Sequence, residues 1–405
     1  MKKLLIFLLS INISYLSSAQ EMSSSTSSDF ILGNGLTFKS GDSYLFKLSG
    51  MIQPSFSILN DSSNNTEYFF NSKHTFFSFS GFSKKERVSF LMLADFSLAS
   101  PLLDAWISYH LSNNMNISFG QKLITGNNRE MGYMEDNLQF SQRSLLSQTF
   151  SRTGREFGLF VDLNYSFGEF YIRPNLGVTS GDGRSSFGSN SRDVDYGGFK
   201  YFGRIDFYPL GYFSSGNNLQ ISDIKREKSP KLVFGIAASY NDGASHSLGE
   251  GHGAQDIIDD GIGNDSTGGI YLYNVEGLPQ LPDYRKIYFD LLFKFQGFSF
   301  LGEYVNTSAL SFEQVYTDNF GSSLLAPTQI SEYFVLGSGL NLTLGYVFKS
   351  NFGIDLRYSN VSPEFESNPS SIISSASSTT VSFSKYFLEN NFKVITSFSN
   401  KDYTN

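Results

Sequence analysis

From Lys286 to Gln296 the chain alternates between apolar and polar positions. Ile287, Phe289, Leu291, Phe293 and Phe295 fall on one side of an extended backbone. Lys286, Tyr288, Asp290, Leu292, Lys294 and Gln296 fall on the other. Successive side chains of a strand point to opposite faces, so a segment of this kind has one apolar face and one that carries charge. The same split sets Phe352, Ile354, Leu356 and Tyr358 against Asp355 and Arg357. It also sets Phe157, Leu159, Val161 and Leu163 against Glu156 and Asp162. The period predicts sixteen strands. They lie near Phe30–Phe38, Tyr44–Ile58, Phe70–Phe82, Val88–Ser97, Leu102–His110, Met115–Lys122, Glu156–Phe167 and Phe170–Ser180. The second half follows near Phe199–Tyr208, Lys231–Tyr240, Arg285–Phe295, Phe298–Thr307, Glu332–Gly345, Phe352–Val361, Thr379–Phe387 and Phe392–Asn400.

Such a pattern suits either a soluble sandwich, with its apolar face in a core, or a membrane barrel, with that face in lipid. Segment length favours the barrel. The runs are roughly ten residues long, which a tilted strand needs to cross hydrocarbon, whereas sandwich strands are nearer five or six. Link length agrees: short links (Gly168-Glu169, Gln296-Gly297, Lys349-Ser350, Glu389-Asn390) take turns with long ones (Gly181–Gly197, Gly243–Tyr284, Pro363–Ser377). Short turns at one end and long loops at the other are the outer-membrane arrangement. The expected fold class is therefore all-β, a transmembrane antiparallel barrel of about sixteen strands with outer-membrane lipid as its surroundings.

Composition sharpens this in three ways. There are 41 Phe and 23 Tyr against a single Trp, which fits aromatic girdles at two bilayer interfaces. No cysteine is present, so thiolate metal sites, disulfides and a Cys nucleophile are excluded. The formal charge of −8 argues against nucleic acid, whose binding needs clustered cations. Met1-Lys2-Lys3, the apolar run Leu4–Ile13 and Ser17-Ser18-Ala19 have the order of a signal peptide, predicted as residues 1–19. Residues 20–29 read as a short Ser-rich periplasmic segment and 30–405 as one barrel domain.

Seven stretches, taken in order, carry a family likeness. They are Leu138–Ser144; Ser151–Gly158; Gly181-Asp182-Gly183-Arg184; Gly203–Gly211; Ala238–Ala244; Phe298–Tyr304; and Leu356–Pro363. In sequence and spacing they resemble the phosphate-selective porin O/P family, particularly its Bacteroidetes-type members, from about Gly50 to the C-terminus. The resemblance implies a sixteen-stranded, homotrimeric barrel whose Ile124–Gly154 loop folds inward as a constriction. It implies passive passage of small hydrophilic solutes or ions, anions and phosphate among them.

The loop offers Arg129, Glu130, Arg143, Arg152 and Arg155 as constriction residues, either guiding anions or, paired with Glu156 and its neighbours, pinning the loop. The expected lumen wall comprises Asp162, Arg173, Lys200, Arg204, Asp206, Lys286, Asp290, Lys294, Asp355 and Arg357. Ion pairs of Arg173, Arg204 and Arg357 with Asp162, Asp206 and Asp355 are the alternative to solute guidance. The polar faces together hold seven basic and eight acidic residues, no single-sign ring of the kind that gives strong selectivity. Asn241–Tyr284 has eight acidic residues and no Lys or Arg. Asp256, Asp259, Asp260 and Asp265 are a weak Ca²⁺ candidate without a known spacing, and a solvated outer loop is the plainer expectation. As a protein-binding loop it would use Tyr271, Leu272 and Tyr273. No cofactor is implied. The four histidines and the absence of a Gly-x-Ser-x-Gly elbow argue against an enzyme. The competing function is an occluded barrel serving as a structural subunit of a secretion or assembly complex, with adhesion through the long loops a third.

Overall fold

The computed structural model describes residues 26–60, 65–98, 100–151, 154–181, 183, 197–244, 246–249, 270, 272–388 and 390–403. The predicted signal peptide, Arg152, Tyr271 and the Asp256–Asp265 cluster lie outside them. Eighteen strands form one antiparallel sheet: β1 (Thr26–Ile31), β2 (Gly35–Ser40), β3 (Tyr44–Asn60), β4 (Thr66–Ser83), β5 (Val88–Asp95), β6 (Leu102–Ser112), β7 (Met115–Leu123), β8 (Arg155–Leu163), β9 (Tyr165–Phe167), β10 (Phe170–Thr179), β11 (Lys200–Tyr208), β12 (Lys231–Asn241), β13 (Asp283–Phe295), β14 (Phe298–Leu310), β15 (Gly337–Val347), β16 (Phe352–Pro363), β17 (Ala376–Tyr386) and β18 (Lys393–Tyr403).

Each strand pairs with the next, except that β8 and β9 both pair with β10 as two pieces of one strand interrupted at Asn164. The difference from sixteen has two sources. The segment near Phe30–Phe38 is a hairpin, because Leu32–Asn34 turns with Gly33 at φ 83°. The segment Glu156–Phe167 is split at Asn164, whose side chain accepts a hydrogen bond from Tyr212 Oη at 2.5 Å. Part of the expected Ser-rich tail is thereby corrected: Thr26–Asp29 lies in β1, paired with Thr37–Ser40. The strand expected from Glu332 starts only at Gly337, since Gln329–Glu332 winds into a 3₁₀ turn and Phe334 and Leu336 pack into an apolar cluster. Gly33 sits against Asn391, which brings the first turn back to the last.

The alternation sorts the wall as predicted by period. Phe289, Ile236, Leu356 and Phe119 face outward and are exposed, while Lys286, Tyr288, Leu292 and Lys294 face inward and are sealed. Apolar residues left bare on a closed strand wall belong in lipid, where the ladder satisfies every backbone donor and acceptor.

One connection departs from the short-turn rule. Residues 209–230 join β11 to β12 at the same end as Gly168-Glu169 and Gln296-Gly297, yet span that mouth. Tyr212 reaches Asn164, Arg226 bonds the Val347 carbonyl and Ser222 Oγ meets Tyr386 Oη at 3.2 Å. Lys294 reaches up from β13 and donates to the carbonyls of Asn217 and Gln220 at 2.6 Å each and of Ser222 at 3.2 Å. A buried ammonium needs several acceptors to replace its water, and three carbonyls supply them.

Candidate pore constriction

The loop between β7 and β8 leaves and returns at one point, where Ile124 N donates to the Gly154 carbonyl at 2.8 Å. Between these ends it runs inside the wall. It carries two 3₁₀ turns (Arg129–Gly132 and Glu135–Asn137) and a short helix, α1 (Leu145–Phe150). Ser144 caps α1 by accepting from Ser147 N at 3.2 Å. Its apolar face, Leu145, Leu146 and Phe150, packs on Ala237, Tyr288 and Val305 of the wall. The Phe150 carbonyl also accepts from Lys286 at 2.7 Å.

Charge fixes the opposite flank. Arg129 donates to Asp290 at 2.6 Å and to Asp206 at 2.7 Å. Arg204 donates to the same two carboxylates at 2.7 and 2.8 Å and to the Asn127 carbonyl at 3.0 Å. Two guanidiniums and two carboxylates thus satisfy one another across loop, β11 and β13, as burial of charge requires. Gly235, inward on β12, leaves the space: a Cβ there would overlap Arg204 and Asp206.

Glu130 binds the loop to itself. Its carboxylate accepts from Ser144 N at 2.8 Å, Ser144 Oγ at 2.7 Å and Ser147 Oγ at 2.6 Å, and Arg357 approaches at 3.4 Å. Glu303 of β14 accepts from Glu130 N at 2.7 Å, Asn128 at 3.0 Å and Asn341 at 2.7 Å. At the far side Gln139 donates to Ser299 at 2.9 Å and Asp355 at 2.8 Å, and Lys393 and Asn390 donate to the Asp136 carbonyl. Within the loop, burial pushes the Glu135 carboxyl upward, but the Arg143 and Arg155 guanidiniums prevail and hold it below its ordinary range. Asp136 stays above its own, because burial there outweighs Lys393.

The expected pairings need correction in three places. Arg143 bonds Glu135 at 2.5 Å and the carbonyls of Glu130 and Tyr133, not Glu156. Arg155 takes Asp104 on β6 at 2.9 Å, and Glu156 pairs with Lys200 at 2.7 Å. Asp162 pairs with Lys122 at 2.9 Å, and Arg357 turns to Glu130 and the Gln142 carbonyl instead of Asp355. Only Arg204 with Asp206 joins as anticipated. All ten expected wall residues are on inward-facing positions of β8, β10, β11, β13 and β16. Sequence reasoning missed Asn128, Gln139, Asn341 and the 209–230 connection. Polar uncharged residues in a loop carry no signal of their partners, and the connection's only mark was its length.

Beside the Arg129 cluster lies a cavity of about 220 Å³, lined by Asn128, Arg129, Tyr133, Arg173, Asn175, Arg204, Asp206 and Asn218 among others. Arg173 is exposed into it and bonds Tyr208. Three guanidiniums there face Asp206 and Asp290, a surplus of one positive charge. A second inward surface is left uncovered: Ser49, Met51 and Gln53 of β3, Ser78 and Ser80 of β4, and Ile395 and Ser397 of β18 are all partly exposed.

No family model matches the chain, and no curated protein matches it. Solved structures do. The anion-selective porin from Comamonas acidovorans superposes with a TM-score of 0.51 at 9% identity, covering 89% of this chain and 89% of that one. A loop L8 deletion mutant of OmpT, an outer membrane protein of Vibrio cholerae, gives 0.50 at 10% identity over 90% of this chain and 95% of that one. At such identities the likeness establishes fold alone: this chain is a transmembrane antiparallel β-barrel of the architecture that those two proteins have.

Proposed function

We propose that the chain, exported by a cleaved N-terminal segment, is an outer-membrane porin that lets small hydrophilic solutes diffuse down their gradients. The observation that carries this is the inward loop, hung from opposite sides of the wall by charged and polar contacts. Beside it, the Ser-rich inward faces of β3, β4 and β18 are left accessible to water. A rigid loop beside a polar uncovered wall narrows a passage without closing it. The cavity's single surplus positive charge favours anions weakly, and the nearly balanced wall speaks against a dedicated phosphate ladder. The family resemblance suggests a trimer, which cross-linking in native membranes tests.

The 209–230 connection favours one second reading, an occluded barrel acting as a structural subunit, because it covers part of the inner mouth. Planar-bilayer recording separates the two. The porin gives stepwise current from purified, folded protein, with a reversal potential slightly on the anion side in a salt gradient. Silence of inserted wild type, relieved by excising residues 213–227, is the result for an occluded barrel.

A further inference from the structure

We propose that the paired tips of the β12–β13 and β14–β15 loops form a docking face for a protein surface that carries basic residues around an apolar socket. The tips are built as one unit. Tyr273 N donates to the Tyr316 carbonyl at 2.9 Å and Tyr316 N returns to Tyr273 at 2.7 Å. Gly277 lies against the Asn319 carbonyl and Gly321 against that of Val275, so closely that neither leaves room for a Cβ. Asp318 clasps its own turn, accepting from Phe320 N at 2.8 Å and Ser323 N at 2.6 Å.

Beneath the tips is a buried apolar cluster that includes Leu272, Val315, Leu325 and Phe334. The loops therefore have a core of their own, and still Phe320 is 84% exposed, Val275 62%, Leu324 59% and Leu278 57%. Four large apolar side chains displayed together on a preformed support make a low-cost binding face, since little further ordering is needed. The anchors expected from sequence are thus replaced: Leu272 is interior and Tyr273 holds the two tips together.

Charge selects the occupant. Among the described residues of the three successive outer loops, 242–282, 311–336 and 364–375, there are seven carboxylates (Asp242, Glu276, Glu313, Asp318, Glu332, Glu364 and Glu366) and no Lys or Arg. A surface with only negative charge repels anionic lipid headgroups and another copy of itself, and it steers a basic partner. The face is separate from the constriction, so its test does not depend on conduction.

The test uses the full-length protein in nanodiscs of zwitterionic phosphatidylcholine, with fluorescence anisotropy of a short labelled peptide of alternating lysine and leucine. Lysine–serine and glutamate–leucine peptides serve as controls. The expected result is binding at least about tenfold tighter for lysine–leucine than for either control. Val275→Ser with Phe320→Ser weakens it by about the same factor and leaves conductance unchanged. Equal binding by that double variant, by protein-free discs or by the glutamate–leucine peptide overturns the proposal. So does association of two copies of the chain through these tips.

Discussion

The two halves of the wall are filled differently. From β11 to β17 the inward side chains are sealed: Lys200, Lys286, Lys294, Asn341 and Ser359 are all buried under the constriction loop, the outer loops or the 209–230 connection. From β18 through β3 and β4 the inward positions are mostly serines and apolar residues, with Lys39, Lys47 and Lys401 among them, and many stay partly open; the hydroxyls bond to each other, as in Ser49 with Ser78 at 2.7 Å and Thr380 with Ser399 at 2.8 Å. The contrast teaches that charge in this barrel is mainly structural. Carboxylate–guanidinium pairs collect where protein docks on protein, because there each charge can be paired, and the water-facing side carries a few solvated lysines, Lys39, Lys47 and Lys401, instead. In the proposed porin a solute path runs along these hydroxyls and lysines, past the Arg173 cavity.

The largest effect expected from this contrast is on stability. Asp290→Ala strands Arg129 and Arg204 in a buried site and should cost roughly 3–5 kcal/mol, whereas Ser78→Ala should stay within about 0.5 kcal/mol. Urea titration of protein refolded in detergent measures both; equal losses would erase the distinction between the halves. Next in size is blockage. The chain has no cysteine, so single thiols report cleanly. Ser80→Cys should react with a charged, membrane-impermeant thiol reagent and lose about half its conductance. Ser359→Cys, fully buried, should not react. Rapid labelling of position 359 would place the water on the wrong side of the loop.

A smaller change is expected in selectivity. Arg173→Glu alters the cavity by two charges and should shift the anion-to-cation permeability ratio by roughly two- to fivefold toward cations. The reversal potential reads this, and an unmoved value would remove the cavity from the path. The smallest effect lies outside the barrel. Slight desolvation raises the Asp318 carboxyl, but the amides of Ser322 and Phe320 and the Ser323 and Ser322 groups win and bring it down to about 2. A carboxyl depressed on folding stabilises its turn above the ordinary carboxylate range and loses that contribution as pH falls through about 2. Pepsin should therefore spare the Phe320 bond at pH near 3 and cut it near 1.5 in the wild type, but cut Asp318→Asn at both.

The alternation of Ile287–Phe295 against Lys286–Lys294 was enough to set strand, face and membrane surroundings, because period two and lipid contact are local rules that each segment obeys alone. Arg129 and Arg143 were likewise recognisable as residues of an inward loop, through a family likeness and their density, whereas Arg155 opens β8. Their partners were not. Asp290 lies 161 positions from Arg129, and Gln139 meets Asp355 across 216. Only a wall that curves back on itself brings such pairs within hydrogen-bond reach. The same holds for Gly235, whose missing side chain looks like a weak point in a strand until Arg204 is seen to occupy the space. Local chemistry thus fixed what each strand is and which way it faces. Closure of the sheet decided which charges neutralise one another, and so which side of the barrel is left for water.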